Sequence, residues 1–457
     1  MSTQLTTPAD LFDLSRPPHE HQQRAIELAA QHRVVVVTGG PGVGKTFTVN
    51  AIRRMFEANG LNLALCAPTG KAAVRMTEQT GAKASTIHRL LGWKPDGSWT
   101  FNASEPSSFD QDGQPIGGAL PFDAVVIDEV SMVDVALFAG LVEALTPRQR
   151  LVIVGDVDQL PSIGAGRVLF DLIESGVIPT VRLTKIFRQA EESRIPYVAR
   201  DINQGILPDL AQLNAKDGDS DVAWLPVDDA EAVQATIVEA VASLIPARQG
   251  IPSEDIQVLC PQHRGPVGDE ILNCLLQERL NDNYEADDRR GLRAGRGYRL
   301  FADDRVMYAN KNNYDLDVAN GEVGRVLEQN WRGVTPPTFA RTSGKGKPAI
   351  VVDFGNGRVV GFNKSEAQNL ELAYAITVHK SQGSQFPCVV TPVHTANKFM
   401  LTRPLIYTAI TRAERLLLMI GEVEALESAV VNTRGVERRT TLQPCLQDCA
   451  QAKEAVS

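Results

Sequence analysis

The stretch VVVVTGGPGVGKT, residues 34–46, decides the fold of this 457-residue chain. It joins an apolar, β-branched run to a glycine-rich loop that fits the pattern G-x-x-x-x-G-K-T, and a helical pattern continues to Ala58. Glycines allow backbone N–H groups to curl around phosphate oxygens, and the positive end of the helix dipole adds to the attraction. The stretch therefore predicts a strand, a phosphate-binding loop and a helix.

The same loop assigns the residues that contact a nucleotide. We expect Lys45 to pair with the β- and γ-phosphates and Thr46 to ligate Mg²⁺. The expected nucleotide contacts are completed by Phe47 and by four loop glycines: Gly39, Gly40, Gly42 and Gly44. The alternative is a glycine-rich turn that matches by coincidence, and the strand and helix patterns on either side argue against it.

Two more apolar runs end in polar residues of the kind that a phosphate site needs. Ala124–Ile127 leads to Asp128 and Glu129, and Leu151–Val154 leads to Gln159. In open α/β sheets, ligands bind at the carboxyl ends of the strands. We expect Asp128 to hold Mg²⁺ through water and Glu129 to polarise the attacking water as general base. Gln159 is placed to sense the γ-phosphate, and the alternative is an ordinary polar turn residue.

Composition narrows the class of protein. Hydrophobic residues make up 43% and charged residues 22% of the chain, which excludes a disordered polyelectrolyte. The net charge of −9 argues against a protein coated in positive charge, but local patches can still bind phosphate. We expect no membrane span, because no run of about 18 apolar residues exists. Residues 1–14 show no secretory signal and the six scattered cysteines no zinc pattern, so we expect a cytoplasmic protein.

Alternating strand and helix patterns indicate an α/β fold with two insertions. Residues 92–121 are rich in Gly, Pro, Ser and Asp and predict an inserted loop or hairpin. Short strands and turns from about Tyr298 to Leu370 predict a small β-barrel-like insertion. The α/β texture returns from Glu371 to Glu422.

Further blocks, in a fixed order, resemble the motifs of a known family. Ala67–Ala73 looks like helicase motif Ia and Ser85–Leu91 like motif Ib. Motifs III to VI are matched by Gly155–Pro161, Ile186–Gln189, Ala373–Gly383 and Leu405–Ala413, and a further block by Val258–Gln277. Together they resemble superfamily 1 helicases of the RecD-like branch, which includes the phage Dda helicase. The resemblance covers about Gln22 to Leu418.

The resemblance implies an ATP-dependent DNA helicase that moves 5′→3′ on single-stranded DNA and unwinds duplex with Mg-ATP. It implies two RecA-like P-loop NTPase domains, residues 1–185 and 186–457, with ATP between them. It also implies a pin-like hairpin insertion at 92–121 and an SH3-like β-barrel insertion at about 298–370. Expected partners are single-stranded DNA, single-strand/double-strand junctions and recombination or replication proteins, but no membrane, and the motor is expected to be monomeric. Two alternatives stay open: a translocase that displaces proteins, and a nucleotide-switched non-motor subunit of a recombination complex.

The family's functional residues carry over by motif position. Gln22 matches the glutamine that contacts adenine, with Gln23 as an adjacent competitor. Arg188 and Arg412 match the two arginines that reach the γ-phosphate, where they stabilise the charge of the transferred group. The implied DNA contacts are Thr69, Thr86, His88, Thr377, His379, Ser381 and Gln382. For the two histidines, a buried structural role is the alternative.

Three other sets of residues allow two interpretations each. Trp93, Trp99 and Phe101 lie where the family carries a strand-separating pin, but they could equally pack the hairpin. Two basic runs offer either phosphate contacts or solvated loops: Arg289, Arg290, Arg293, Arg296 and Arg299, and then Arg341, Lys345 and Lys347. Gln385 stands where the family usually has Glu, which puts a sugar-recognition role at this position in doubt.

Overall fold

A computed structural model describes most of the chain: residues 5–6, 17–94, 96–109, 115–187, 193–213, 220–284, 291–309, 312–313, 315–329, 341–342, 348–355, 357–434 and 438–454. The chain divides into two compact units. The first contains Met1–Glu192 together with Thr433–Ser457, and the second contains Ser193–Asn432. The predicted boundary after residue 185 was therefore seven residues too early. The assignment of 433–457 to the second domain was wrong, because this segment packs on the first unit.

The first unit is built on a parallel sheet. Its strands are β1 Val34–Gly39, β2 Leu63–Ala67, β3 Ala84–Thr86, β6 Ala124–Ile127, β7 Arg150–Gly155 and β8 Thr180–Leu183, and β4 Ser108–Phe109 and β5 Pro115–Ile116 form a separate pair. The sheet order is β3-β2-β6-β7-β1-β8. Its central strands are continuous apolar runs because helices cover both faces of the sheet.

The helices of the first unit follow the predicted pattern. They are α1 Glu20–Gln31, α2 Lys45–Ala58, α3 Gly70–Thr80, α4 Ile87–Leu90, α5 Val135–Glu143 and α6 Val168–Glu174, with a 3₁₀ turn at Val130–Met132 and a C-terminal helix at Leu442–Glu454. Polar side chains cap their N-termini: Thr69 Oγ1 accepts from Ala72 N at the start of α3, and Asp134 Oδ1 accepts from Leu137 N at the start of α5. These caps set where the loops after β2 and β6 end and the two helices begin.

A short antiparallel pair lies inside the first predicted insertion. β4 pairs with β5, and Asn102 forms a further bridge to Gly118. Trp99 and Phe101 are partly buried against the core beneath α5, so packing is their observed role. Trp93 differs, because 44% of it is exposed. The function of the insertion as a pin stays a prediction.

The second unit has its own parallel sheet and a second, mixed sheet. The strands are β9 Val222–Pro226, β10 Ile256–Cys260, β11 Leu292–Arg293, β12 Arg299–Leu300, β13 Arg305–Tyr308, β14 Val323–Gln329, β15 Arg341–Thr342, β16 Ile350–Asp353, β17 Val359–Phe362, β18 Leu370–Leu372, β19 Ala375–Thr377, β20 Phe386–Val393 and β21 Ala413–Gly421. The parallel sheet has the order β19-β10-β20-β21-β9. The mixed sheet has the order β15-β17-β16-β14-β13-β18 and is antiparallel except for β15 beside β17. It occupies the second predicted insertion, whose SH3-like character stays a prediction.

Helices and turns complete the second unit. The helices are α7 Ile195–Asn203, α8 Leu210–Leu213, α9 Ala230–Glu239, α10 Ile245–Gln249, α11 Asp269–Leu280, α12 Arg403–Ile410 and α13 Val423–Val431, with a π-helical turn at Ala240–Leu244 between α9 and α10. The 3₁₀ turns are Ser253–Asp255, Gly295–Gly297, Glu366–Asn369, Val378–Ser381 and Thr395–Asn397.

One helical stretch, Ala230–Gln249, is long and apolar enough to cross a membrane by length and composition alone. Its Val233, Ile237 and Val241 are buried in the core of the second unit. One face of this stretch therefore packs on the core of the second unit.

Candidate nucleotide and nucleic-acid site

The glycine-rich loop between β1 and α2 has a conformation that requires glycine. Gly42 has φ +72° and Gly44 has φ +78°, both in the left-handed region that disfavours other residues. A Cβ on Gly44 would clash with the Gln22 amide, and a Cβ on Gly39 would lie 2.6 Å from the Leu183 carbonyl oxygen. The helix begins at Lys45, so its first N–H groups lie beside the loop, the arrangement that binds anions.

Polar side chains surround this loop. Lys45 Nζ donates to the carbonyl oxygens of Gly39 at 2.6 Å and Gly40 at 2.9 Å, which holds the ammonium group over the loop. Thr46 Oγ1 donates to Gln79 Oε1 on α3 at 3.2 Å. Gln79 is a neighbour that sequence reasoning missed, because α3 approaches the loop through tertiary packing.

Gln22, rather than Gln23, lies against the loop. Gln22 is 3% exposed, and its Oε1 accepts from His19 N at 3.0 Å while Nε2 lies 3.5 Å from the Gly44 carbonyl oxygen. Gln23 is exposed and donates to Glu27 at 3.1 Å. Of the two glutamines, Gln22 is therefore the one that contacts the loop, and its contact with adenine stays a prediction.

Two aromatic side chains that were not predicted lie beside the glycine-rich loop. Phe187 N donates to the Gly42 carbonyl oxygen at 3.2 Å, and the His19 ring lies edge-on to the Phe187 ring at 6.2 Å. Phe187 stands within the motif IV block, so its sequence position was an available signal. Phe47, a predicted contact, lies on α2 and is 40% exposed.

The two carboxylates follow β6 directly. Asp128 N donates to the Cys66 carbonyl oxygen at 3.0 Å, and Glu129 N donates to Asp128 Oδ1 at 2.8 Å. Glu129 has φ +56°, a strained conformation that occurs at functional sites. Desolvation and then the charge of Glu129 raise the pKa of Asp128 to about 6, while Lys45 and Arg75 oppose the rise. Arg75, on α3, is a second neighbour that the sequence did not reveal.

Gln159 is held beside these groups after β7. It is 7% exposed, and its Nε2 donates to Asp156 Oδ2 at 3.1 Å. Among the residues that the structure describes, its buried Oε1 has no hydrogen-bond partner. A buried acceptor of this kind can take a hydrogen bond from water.

The sheet order brings the predicted nucleotide residues together. β6, β7 and β1 are adjacent and parallel, with Ile127 level with Ile153 and Thr38 level with Gly155. Their carboxyl ends therefore share one edge, and the loops after them carry Lys45, Asp128 and Gln159. Arg188 lies outside the described residues.

Three predicted DNA contacts lie farther along the same edge. Thr69 follows β2 and Thr86 ends β3, where Ala67 is level with Thr86. Each hydroxyl oxygen caps a helix by accepting a backbone N–H, so its proton can still be donated to a phosphate. His88 is half-buried with its ring 5.7 Å from that of Trp99, and burial lowers its pKa.

The second unit carries the other predicted DNA contacts. Thr377 and His379 are half-buried, and burial lowers the pKa of His379. Ser381 is fully buried and its Oγ donates to the Val378 carbonyl oxygen at 2.7 Å, while Gln382 is 5% exposed. The Ser381 hydroxyl therefore braces the turn in this structure, and the DNA contacts of Ser381 and Gln382 stay predictions.

Arg412 is fixed inside the second unit. It is 2% exposed, and its Nη1 donates to the Ser384 carbonyl oxygen at 3.2 Å while Nη2 donates to Thr411 Oγ1 at 3.3 Å. Backbone and side-chain contacts thus set its orientation.

The arginines of the first basic run have different surroundings. Arg296 is exposed and paired with the buried Glu371, Nε to Oε1 at 3.0 Å, so it is not an unpaired surface cation. Arg293 is exposed, and Arg299 Nη1 donates to the Gly291 carbonyl oxygen at 3.4 Å. Four residues of the two runs lie outside the described part of the chain: Arg289, Arg290, Lys345 and Lys347.

A parallel sheet whose edge carries a phosphate loop, two acidic residues and a buried glutamine defines a P-loop NTPase domain. Residues 18–222 match the AAA domain family, and residues 372–420 match the UvrD-like helicase C-terminal domain. The chain is 31% identical to the RecBCD enzyme subunit RecD of Mycolicibacterium smegmatis, over 92% of this chain and 74% of that protein. The chain belongs to the RecD family of superfamily 1 helicases.

Other relatives extend this result. The chain is 35% identical to the ATP-dependent RecD2 DNA helicase of Deinococcus radiodurans, over 93% of this chain but 52% of that protein. It thus spans about half the length of that relative. It shares its fold with Bacteroides Pif1 bound to single-stranded DNA, at a TM-score of 0.51, 19% identity and coverage of 95% and 97% of the two chains. A second solved structure describes DNA unwinding at forked duplex DNA by two Pif1 helicases. The chain matches it with a TM-score of 0.53 and 20% identity, over 96% of this chain and 98% of that chain.

Proposed function

We propose that this chain is an ATP-dependent DNA helicase that moves 5′→3′ on single-stranded DNA and unwinds duplex. The observation that carries the proposal is the shared sheet edge that gathers Lys45, Asp128 and Gln159. Membership of the RecD family supports the choice of DNA as the substrate. The polarity rests on the resemblance of motifs Ia to VI to the 5′→3′ branch.

The residues of the edge suit the hydrolysis of ATP. We propose that Lys45 neutralises the β- and γ-phosphates and that Gln159 senses the γ-phosphate. Glu129 would accept the proton of the attacking water as general base. Thr46 and Asp128 offer the hard oxygen donors that Mg²⁺ prefers, and they would hold it. When bound, Mg²⁺ supplies charge stabilisation to the phosphoryl oxygens. Arg188 and Arg412 are proposed to stabilise the same charge.

For the nucleic acid, we propose contacts made by Thr69, Thr86, His88, Thr377 and His379. Hydroxyls and neutral imidazoles bind backbone phosphates without the strong salt links that would prevent stepping. The proposed substrates are single-stranded DNA and its junctions with duplex. We also propose that one chain suffices as the motor, that it acts in the cytoplasm, and that recombination or replication proteins are its partners.

The test combines ATPase and unwinding assays. ATP hydrolysis is measured with and without single-stranded DNA, and strand separation is measured on forks with either a 5′ or a 3′ tail. Strong stimulation together with unwinding from the 5′ tail alone supports the proposal. Lys45→Ala should abolish unwinding and reduce DNA-stimulated ATPase by about 10³-fold, because the γ-phosphate loses its main countercharge. Wild-type turnover in this variant would refute the site.

A second candidate function is a nucleotide-switched subunit of a larger complex. It is favoured by one observation: the mycobacterial relative is a subunit of the RecBCD enzyme. The same assays distinguish it, because a switch hydrolyses ATP with little stimulation by DNA. Stimulation without unwinding would instead indicate a translocase that displaces proteins, which a streptavidin-displacement assay detects.

A further inference from the structure

Four charged side chains and one histidine meet in the second unit. They come from the loop after β10, the start of α11, the turn Gly295–Gly297, strand β18 and the turn Val378–Ser381: His263, Asp269, Arg296, Glu371 and Lys380. We call this set the charge network. It joins the mixed sheet to the turn that follows β19.

Glu371 is the bridge of the charge network. Its Oε1 accepts from Arg296 Nε at 3.0 Å, and its Oε2 accepts from Lys380 Nζ at 2.6 Å. Asp269 Oδ1 contacts His263 Nδ1 and lies 3.9 Å from Arg296 Nη1. One guanidinium group thereby spans two carboxylates, which a lysine could not do with the same geometry.

Burial makes these contacts hard to exchange. The side chains of Glu371 and Asp269 are 6% and 4% exposed, whereas those of Arg296 and Lys380 are 29% and 27% exposed. A buried carboxylate that loses its cation is strongly destabilised, so both cations are held where they are. Burial raises the pKa of Asp269, and the nearby His263, Arg296 and Lys380 oppose that rise.

Lys380 gives the charge network its connection to nucleic acid. It follows the proposed DNA contact His379 in the turn Val378–Ser381, and Glu371 lies in β18, which pairs with β13 of the mixed sheet. Arg296 binds the other oxygen of the Glu371 carboxylate. The backbone φ of Arg296 is +58°, a conformation that persists only where the surroundings enforce it.

We propose that Arg296 is a positioning residue, which through Glu371 fixes Lys380 and with it the turn Val378–Ser381 for contact with single-stranded DNA. The proposal rests on the proposed helicase function and assigns to Arg296 no contact with DNA. It predicts that the mixed sheet controls DNA affinity through the charge network.

Arg293 provides a matched control three residues away. It is exposed on β11, so Arg293→Gln removes the same charge from the same run without touching the charge network. Binding of a fluorescein-labelled oligothymidylate is measured by anisotropy at several salt concentrations, alongside the DNA concentration that half-saturates ATPase stimulation. Thermal unfolding checks that each variant folds.

Arg296→Gln should weaken DNA binding about tenfold beyond the Arg293→Gln baseline, equivalent to about 1.4 kcal/mol. The turnover at saturating DNA and the ATPase without DNA should stay at wild-type values. The slope of log affinity against log salt should also stay unchanged, since a lost phosphate contact would reduce it by about 0.7. A reduced slope, or a loss equal to that of Arg293→Gln, overturns the proposal.

A second variant keeps the test decisive if Arg296→Gln does not fold. Lys380→Gln removes a partly exposed cation of the charge network. It should raise the half-saturating DNA concentration to the same extent as Arg296→Gln. In the double variant the two losses should not add, because they break one network. Where Arg296→Gln does not fold, Arg296→Lys takes its place in the double variant, because it keeps the charge but cannot span both carboxylates. Additive losses overturn the proposal. A wild-type chain that binds the oligonucleotide without ATPase stimulation overturns the helicase function but leaves the anisotropy comparison valid.

Discussion

At the scale of single residues, Gly44 links the phosphate loop to Gln22. Gly44→Ala places a methyl group against the Gln22 amide at a left-handed φ of +78°. Nucleotide binding should weaken about tenfold or more, or 1.4 kcal/mol, as Gln22 is displaced. Titration with a fluorescent ATP analogue measures it. Gly60→Ala is the control, because Gly60 has φ +73° but nothing within 4 Å of its added Cβ. Equal losses in both variants would mean that backbone strain alone is responsible.

The residues that could be predicted from sequence are those that a local motif fixes. Lys45 and Asp128 are tied to a strand end and a loop, so their positions follow from the motif itself. Arg75 and Gln79 reach the site because α3 packs beside the loop, which no local pattern encodes. The burial of Ser381 was unpredictable for the same reason, because α12 and β10 pack against the turn Val378–Ser381.

At the scale of elements, the first insertion docks on α5 through one glycine. A Cβ on Gly140 would lie 2.5 Å from Trp99 Nε1 and 2.8 Å from Cε2. In an ordinary helix Gly→Ala stabilises by about 1 kcal/mol. Gly140→Ala should instead destabilise by about 1–3 kcal/mol, because the Trp99 ring must move. Urea unfolding measures the change. Trp99→Ala in the same chain should remove most of the penalty, and stabilisation by Gly140→Ala alone would contradict the docking.

Asp304 joins α11 to the mixed sheet and makes this connection sensitive to pH. Its carboxylate accepts from Gln277 Nε2 and Asn281 Nδ2, both at 2.6 Å, and from Tyr374 Oη at 3.0 Å. Burial raises the pKa of Asp304 to about 6, above its ordinary value. The folded chain therefore binds this proton more tightly than the unfolded chain, and the carboxyl's contribution to stability falls as pH rises.

The pH dependence can be isolated with Asp304→Asn. Between about pH 4 and 6, the wild-type free energy of unfolding should fall relative to that of the variant by about 3 kcal/mol. Urea unfolding at four pH values in this interval measures the difference. A difference that stays constant, or grows with pH, would show that the hydrogen bonds to the Asp304 carboxylate outweigh burial.

Elements with a strong pattern were predictable, and short ones were not. The buried runs of β1, β6 and β7 follow from continuous apolar residues between polar boundaries. Two-residue strands such as β11, Leu292–Arg293, and β12, Arg299–Leu300, form only because tertiary packing pairs them. The order of the strands likewise depends on long-range contacts rather than on any one segment.

At the scale of the whole molecule, the chain leaves the first unit and then returns to it. Leu442 and Leu446 of the C-terminal helix pack against the core beneath α6, and Arg438 Nη1 donates to the Gly164 and Gly166 carbonyl oxygens at 2.8 and 3.2 Å. The contact spans more than 270 positions, so no local pattern in 433–457 indicates it. The prediction placed residues 433–457 in the second domain because their contacts are with residues far away in the sequence.

Thr440 gives the final test of that return. Its Oγ1 donates to Asp171 Oδ2 at 2.7 Å, and Asp171 is completely buried on α6. Thr440→Val keeps the shape but removes the donor, so a buried carboxylate loses its hydrogen bond. The first unit should lose about 1–3 kcal/mol of stability, measured by calorimetry as a lower transition temperature. Gln443→Ala is the control, because its exposed bond to the Glu174 carbonyl oxygen is 3.4 Å long. If Thr440→Val leaves the transition unchanged, the C-terminal segment does not stabilise the unit on which it packs.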